Sequence, residues 1–230
     1  MTDVLDRLAG VGDDLFRRVG AVLADGGLPP EGDAAQLVRR VGGLPAEVLG
    51  FALQLDVNGL RRAAGELRGV AERFGEVPGR LEADVGRSAW EGSGAEAFGV
   101  VWNALAEHVG DGSEPGTIAG RMAATAGYVE ALAGWAAGFR HELAEAIARV
   151  ATSVEAVTLV TGAGAGAPRA EVTAAAGRIV ARVLQPAADA LDAADELRAR
   201  WGGALAELGY QPPRVPSGPA VIAGVTRVNL

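Results

Sequence analysis

The 230-residue chain predicts an all-α fold: an elongated antiparallel helical bundle with a W-x-G helical hairpin and an extended C-terminal tail. Three observations carry this. Apolar residues recur every three or four positions along most of the chain, which is the helical period. The composition is 49% hydrophobic but only 5% aromatic, which favours close packing of small-residue helices over a sheet-built core. Stretches rich in glycine and proline are few, and they punctuate long periodic runs.

Residues 1–55 read as an N-terminal helical arm. Over residues 2–25, Val4, Leu8, Val11, Leu15, Val19 and Val22 form one apolar stripe. "GGLPPEGD" breaks that helix with two prolines, and a short helix follows at "AAQLVRRV". "GGLPAEVLGFALQL" is apolar throughout, and its period does not separate helix from strand.

Residues 56–208 read as a bundle of long helices. Val57, Leu60, Ala64, Leu67, Ala71, Phe74, Leu81, Val85 and Ser88 keep a heptad rhythm, the pattern that seats one long helix along another. Pro78 falls on this seam with Gly79 behind it, so a kink or break is expected near Glu76. Beyond the corner at Trp90, the rhythm resumes at Phe98, Val101, Leu105 and Val109. "GDGSEPG" interrupts it, and Thr117 is placed to cap the next helix. The seam from Ile118 through Met122, Thr125, Val129, Leu132, Ala136, Phe139, Leu143, Ile147, Val150 and Val154 to Val157 predicts one helix of roughly 60 Å. "TGAGAGAP" reads as a glycine hinge. A last helix is expected over 169–208, with Val172, Ile179, Val183, Ala190, Leu197, Trp201 and Leu205 inward and a kink or split at Pro186. Residues 209–230 read as an extended or disordered tail.

The corner itself is "SAWEGSGAEAFGVVW". Glycine permits a tight reversal because positive φ costs it no Cβ clash. Ser93 is placed to cap the second helix, with Glu96 as its capping-box partner. Trp90 is placed to lie across the junction, its indole N–H free to reach a carbonyl released at a helix end.

Trp90, Gly92, Gly94, Phe98 and Trp102, between heptad seams, resemble the W-x-G turn of the WxG family, the helical-hairpin substrates of bacterial type VII (ESX-like) secretion. The resemblance covers residues 57 to about 145. The long layout is similar to the PPE-type and EspB-like members, in which the hairpin sits inside a larger bundle. Membership would imply a secreted, non-catalytic protein of an actinobacterium-like host that pairs with another WxG protein or with itself, as a dimer or higher oligomer, and engages the type VII secretion ATPase. The partner-binding seam would comprise Leu60, Leu67, Phe74 and Leu81 with Val129, Leu132, Phe139 and Leu143. The family's export signal is a tyrosine followed four residues later by Asp or Glu. Here Tyr128 is followed at that offset by Leu132, and Tyr210 by Arg214, while His141 precedes Glu145 without being a tyrosine. A partner chain would then carry the signal.

Charge and residue usage narrow the classes further. A net charge of −8 and a pI near 4.9 oppose nucleic-acid binding and adsorption to anionic lipid. There is no cysteine and no lysine, so thiolate, Schiff-base and Walker-type phosphate-loop chemistry are excluded. Lysine-free, alanine-rich usage fits a GC-rich bacterial genome. No cleavable signal peptide and no membrane-spanning run is read, so export without a cleaved signal, or a cytoplasmic site, is expected. His108 and His141 are too few for a three-histidine zinc site. Asp189, Asp192 and Glu196 share a helix face, read as a solvated one, and no serine sits in a nucleophile elbow. The sequence thus predicts no enzyme, cofactor or metal. Two other roles fit the same residues: a cytosolic adaptor or chaperone for a separately encoded toxin, and the targeting region of a polymorphic toxin.

Overall fold

The computed structural model describes residues 3–28, 31–87, 90–165, 168–206, 208–209 and 212–213. Among them the chain is all-α. The helices are α1 (Val4–Gly26), α2 (Asp33–Val41), α3 (Pro45–Gln54), α4 (Val57–Arg87), α5 (Ser93–Val109), α6 (Ile118–Ala151), α7 (Val154–Ala165) and α8 (Arg169–Ala206). The tail expected over 209–230 lies almost wholly outside the described residues. No described helix is long and apolar enough to cross a membrane.

The chain divides into two compact units, residues 1–61 with 130–200, and residues 62–129 with 201–230. This partition differs from the three consecutive segments expected from composition. Residues 1–55 belong to the same unit as the second half of α6, all of α7 and most of α8.

The first unit holds the large core. Leu5, Leu15, Phe16, Val19, Leu49, Phe139, Leu143, Ile147, Val150, Ile179, Val183 and Leu184 form it. The stripe expected on α1 holds at Leu15 and Val19, with Leu8 and Val22 at the core's edge, but Leu5 and Gly12 take the inward places expected of Val4 and Val11. Leu5, Gly12, Leu15, Phe16 and Val19 face inward, while Val4 and Val11 are exposed. At Gly12 a Cβ would lie 3.1 Å from Leu49 Cδ2, so the missing side chain lets α3 approach α1 closely. The segment 42–55, ambiguous by period, is helical from Pro45 onward. Its proline sits at the first helical position, where no N–H is needed, and Glu47 accepts the Leu44 N–H at 2.8 Å.

Helix α6 stops at Ala151 rather than running to residue 157. The Ser153 hydroxyl accepts the Ala156 N–H at 3.3 Å and starts a new helix. Val154 and Val157, expected inward, consequently face solvent. The glycine run after Thr161 is helical as far as Ala165. Neither Pro78 nor Pro186 splits its helix: α4 and α8 run through them.

Arg140 crosses the core edge of this unit almost fully buried. Its guanidinium donates to Asp3 at 2.7 Å, to Asp6 at 2.8 Å and to the Ala52 carbonyl. The hydrogen bond from Arg140 lowers the Asp3 pKa, and the same bond raises that of Arg140. Asp3 and Asp6 also form the capping box of α1, so one cation ties the first helix to α3 and α6.

Candidate functional site

The site is built in the second unit, from the end of α4, the corner and α5. Gly92 carries the turn: its φ is 96° and its ψ −177°, a region open to glycine alone. Its carbonyl accepts the N–H groups of Ala95 and Glu96, at 2.9 and 3.1 Å, and so opens α5. Gly92, and not Ser93, is therefore the cap residue, and no side chain closes a capping box here.

Trp90 does not bury itself across the junction as expected: it is 50% exposed. It leans instead along α5. Its ring centroid lies 5.5 Å from that of Phe98 in a tilted contact, and Phe98 stacks on Trp102 at 6.3 Å with the planes 1° apart. Positions 98 and 102 are one helical turn apart, so the row follows from the 3.6-residue period. Gly94 lies beneath the Trp90 ring, where a Cβ would stand at an ordinary 3.5 Å from Trp90 Cζ2. Residues 88 and 89 lie outside the described residues.

The far end of the hairpin is closed by the "GDGSEPG" loop. Gly75 of α4 approaches it so closely that a Cβ would stand 3.1 Å from the Asp111 carbonyl oxygen. Helix α5 thus runs back beside the second half of α4. Gly110 and Gly112 take positive φ, and Ser113 donates its N–H to Asp111 at 2.9 Å. Thr117 caps α6 as expected, accepting the Gly120 N–H at 3.0 Å while donating to the Glu114 carbonyl.

The eight residues of the expected partner seam separate by burial. Phe74 and Leu81 are exposed on α4, together with Val77, which the periodicity did not single out. Leu60, Leu67, Val129 and Leu132 are half-buried. Phe139 and Leu143 lie inside the first unit's core, where Phe139 stacks on Trp135 at 6.2 Å and Leu143 has no exposed surface. Their side chains are enclosed by the chain's own helices, so they leave the accessible surface. On α5, Val100 and Val101 are exposed and no residue is buried.

Charged groups singled out in the sequence have partners in place. Asp189 accepts from Gln185, Asp192 pairs with Arg40, and His141 stands 3.2 Å from Glu145 on an exposed face. Among the described residues no group of three or more His, Cys, Asp or Glu is placed to hold a metal ion. No protein-family model, curated protein or solved structure matches this chain.

Proposed function

We propose that this chain is a non-catalytic, type VII secretion-associated helical protein that works by pairing its α4–α5 hairpin with a second WxG hairpin, in its host or on export from it. The observation that carries this is the corner: a glycine held at φ 96°, with a half-exposed Trp90 leading an aromatic row through Phe98 to Trp102. Trp90 packs on Phe98 and still leaves half of its surface to solvent, beside an arm with few buried positions. Helices α4 and α5 together bury only Ala64 and Ala71 among their described residues. Phe74, Val77 and Leu81, at spacings of three and four, present an apolar row to a partner helix, the helix-in-groove mode of association.

Co-expression with a WxG hairpin protein of the same host tests the reading. The expected result is a complex that survives purification and is lost when Phe74→Glu and Leu81→Glu are combined. Phe74 and Leu81 are 38% and 37% exposed, and far-ultraviolet circular dichroism of the double variant checks that its helices are intact. Failure to form a complex, or a complex indifferent to the double change, refutes it.

A further inference from the structure

Helix α5 carries a second apolar face, apart from the aromatic row. Ala97, Val100, Val101 and Ala104 fall within an arc of about 100°, at the three-four spacing of a packing seam. Phe98 and Trp102 lie roughly 110° and 150° round from its centre. Val100 and Val101 are 54 and 39% exposed, and neither alanine is buried. Side chains this small let a docked helix approach closely.

One flank of the seam is acidic and has nothing to answer it. Glu96, Asn103 and Glu107 are all exposed there, within about 40° of arc. The two carboxylates stand about 17 Å apart along the axis. Elsewhere arginine answers an acid four residues away, as in Asp14–Arg18, Glu76–Arg80 and Glu145–Arg149. On α5 it cannot. Gly92 and Val100 stand at that offset from Glu96, and Asn103 and Asp111 from Glu107. From residue 88 to residue 120 the chain has five acids and no arginine or lysine. Among the described residues neither Glu96 nor Glu107 takes part in an ion pair.

We infer that the outer face of α5 takes an amphipathic helix of a separate partner chain, whose apolar seam is edged with arginine or lysine. This rests on the hairpin-pairing reading above and adds the chemistry of the partner. Charge complementarity selects it. A helix laid on the seam also covers the flank and strips water from Glu96 and Glu107, which then need cations opposite them. An acid-edged helix is repelled, and a wholly apolar one leaves both carboxylates unpaired. Basic residues at the edge positions of the partner's seam supply the match, as between paired helices of a coiled coil. A second copy fits less well: residues 57–114 carry ten acids against six arginines, so like hairpins repel.

Fluorescence anisotropy with labelled synthetic peptides and the full chain tests it. Two helical peptides of about 20 residues share one leucine–alanine seam, edged with arginine or with glutamate; a third keeps the arginines but scrambles the seam. The arginine-edged peptide is expected to bind at least about tenfold more tightly than either of the others. Glu96→Gln combined with Glu107→Gln should abolish that preference, and Val100→Gln should weaken binding. Glu142→Gln combined with Glu171→Gln makes the same charge change in the first unit and should leave the preference intact. All five side chains are exposed, and circular dichroism checks that the helices are intact. Equal binding of the three peptides, no binding, or a preference indifferent to the change at Glu96 and Glu107 overturns the inference. So does a chain that dimerises in sedimentation velocity and loses the dimer with that change, since the face then belongs to a second copy. The two readings fail separately. A hairpin complex lost on combining Phe74→Glu with Leu81→Glu, but indifferent to Glu96→Gln with Glu107→Gln, leaves the pairing standing and strikes the basic edge. An arginine-edge preference that depends on Glu96 and Glu107, with no hairpin complex, supports the basic edge and strikes the pairing.

Discussion

Replacing Gly92 by alanine should strain the corner without causing a clash. A Cβ at Gly92 would meet no atom within 4 Å, so the whole cost is conformational. An alanine held at φ 96° and ψ −177° costs about 1–3 kcal/mol. Gly94, two residues on, supplies the control. It lies inside α5, and its Cβ would stand at an ordinary 3.5 Å from Trp90, so Gly94→Ala should be neutral or stabilising by up to about 1 kcal/mol through helix propensity. For a chain of this size each kcal/mol moves the melting temperature by about 2–4 °C. Thermal unfolding followed by far-ultraviolet circular dichroism should therefore show Gly92→Ala melting about 2–12 °C lower and Gly94→Ala unchanged or slightly higher. Two glycines of one motif then respond in opposite directions. If both variants melt with wild type, or Gly94→Ala is the one that falls, the corner is not held by Gly92.

Three further perturbations follow from the packing. Arg140→Leu removes the tie between α1, α3 and α6 and should cost about 2–4 kcal/mol by chemical denaturation, less than a wholly enclosed pair because Asp3 and Asp6 keep contact with water. An unchanged denaturation midpoint would show the tie to be without energetic weight. The Glu155 carboxyl is held at about 2, below its ordinary 4.5, by the N–H of its own backbone and then, against the cost of burial, by Arg182, Ser153 and Arg178. A depressed carboxylate pKa contributes stability that is full above 4.5 and disappears as pH falls towards 2. Wild type should exceed Glu155→Gln in stability at neutral pH, with the gap closing across that acid window, and a gap independent of pH would contradict the assignment. Finally, a Cβ at Gly127 would lie 2.8 Å from Trp201 Cη2, so Gly127→Ala must displace the indole that packs 5.9 Å from Tyr128. A loss of about 1–3 kcal/mol with altered tryptophan emission is expected, and an unperturbed spectrum would refute the contact.

Much of the fold was legible because it is written in local signals. Gly92, Gly110 and Thr117 each mark a helix end through their own backbone or side-chain chemistry, and the structure places helix ends beside all three; the start at Pro45 was left open because the apolar run around it has no clear period. The aromatic row was half legible. The spacing of Phe98 and Trp102 gives the turn-to-turn stack, but periodicity cannot say that Trp90 leans outward along α5. The break after Ala151 was missed because an apolar rhythm continues across it, and only the Ser153 cap resets the register that turns Val154 and Val157 to solvent. Arg140 was not singled out because its partners Asp3 and Asp6 lie more than 130 residues away, and nothing local announces them. The burial of Phe139 and Leu143 is likewise a tertiary fact. A seam read from sequence shows that a residue packs, and not whether it packs inside the chain or against a partner.

The most direct measurement is mass spectrometry of culture filtrate from the native host, with and without its type VII secretion ATPase. The proposed role requires the chain, with its hairpin partner, to accumulate outside the cell only when the ATPase is present. A chain retained in the cell in both strains contradicts that role, leaving the Gly92 corner as a structural turn and favouring a cytosolic adaptor.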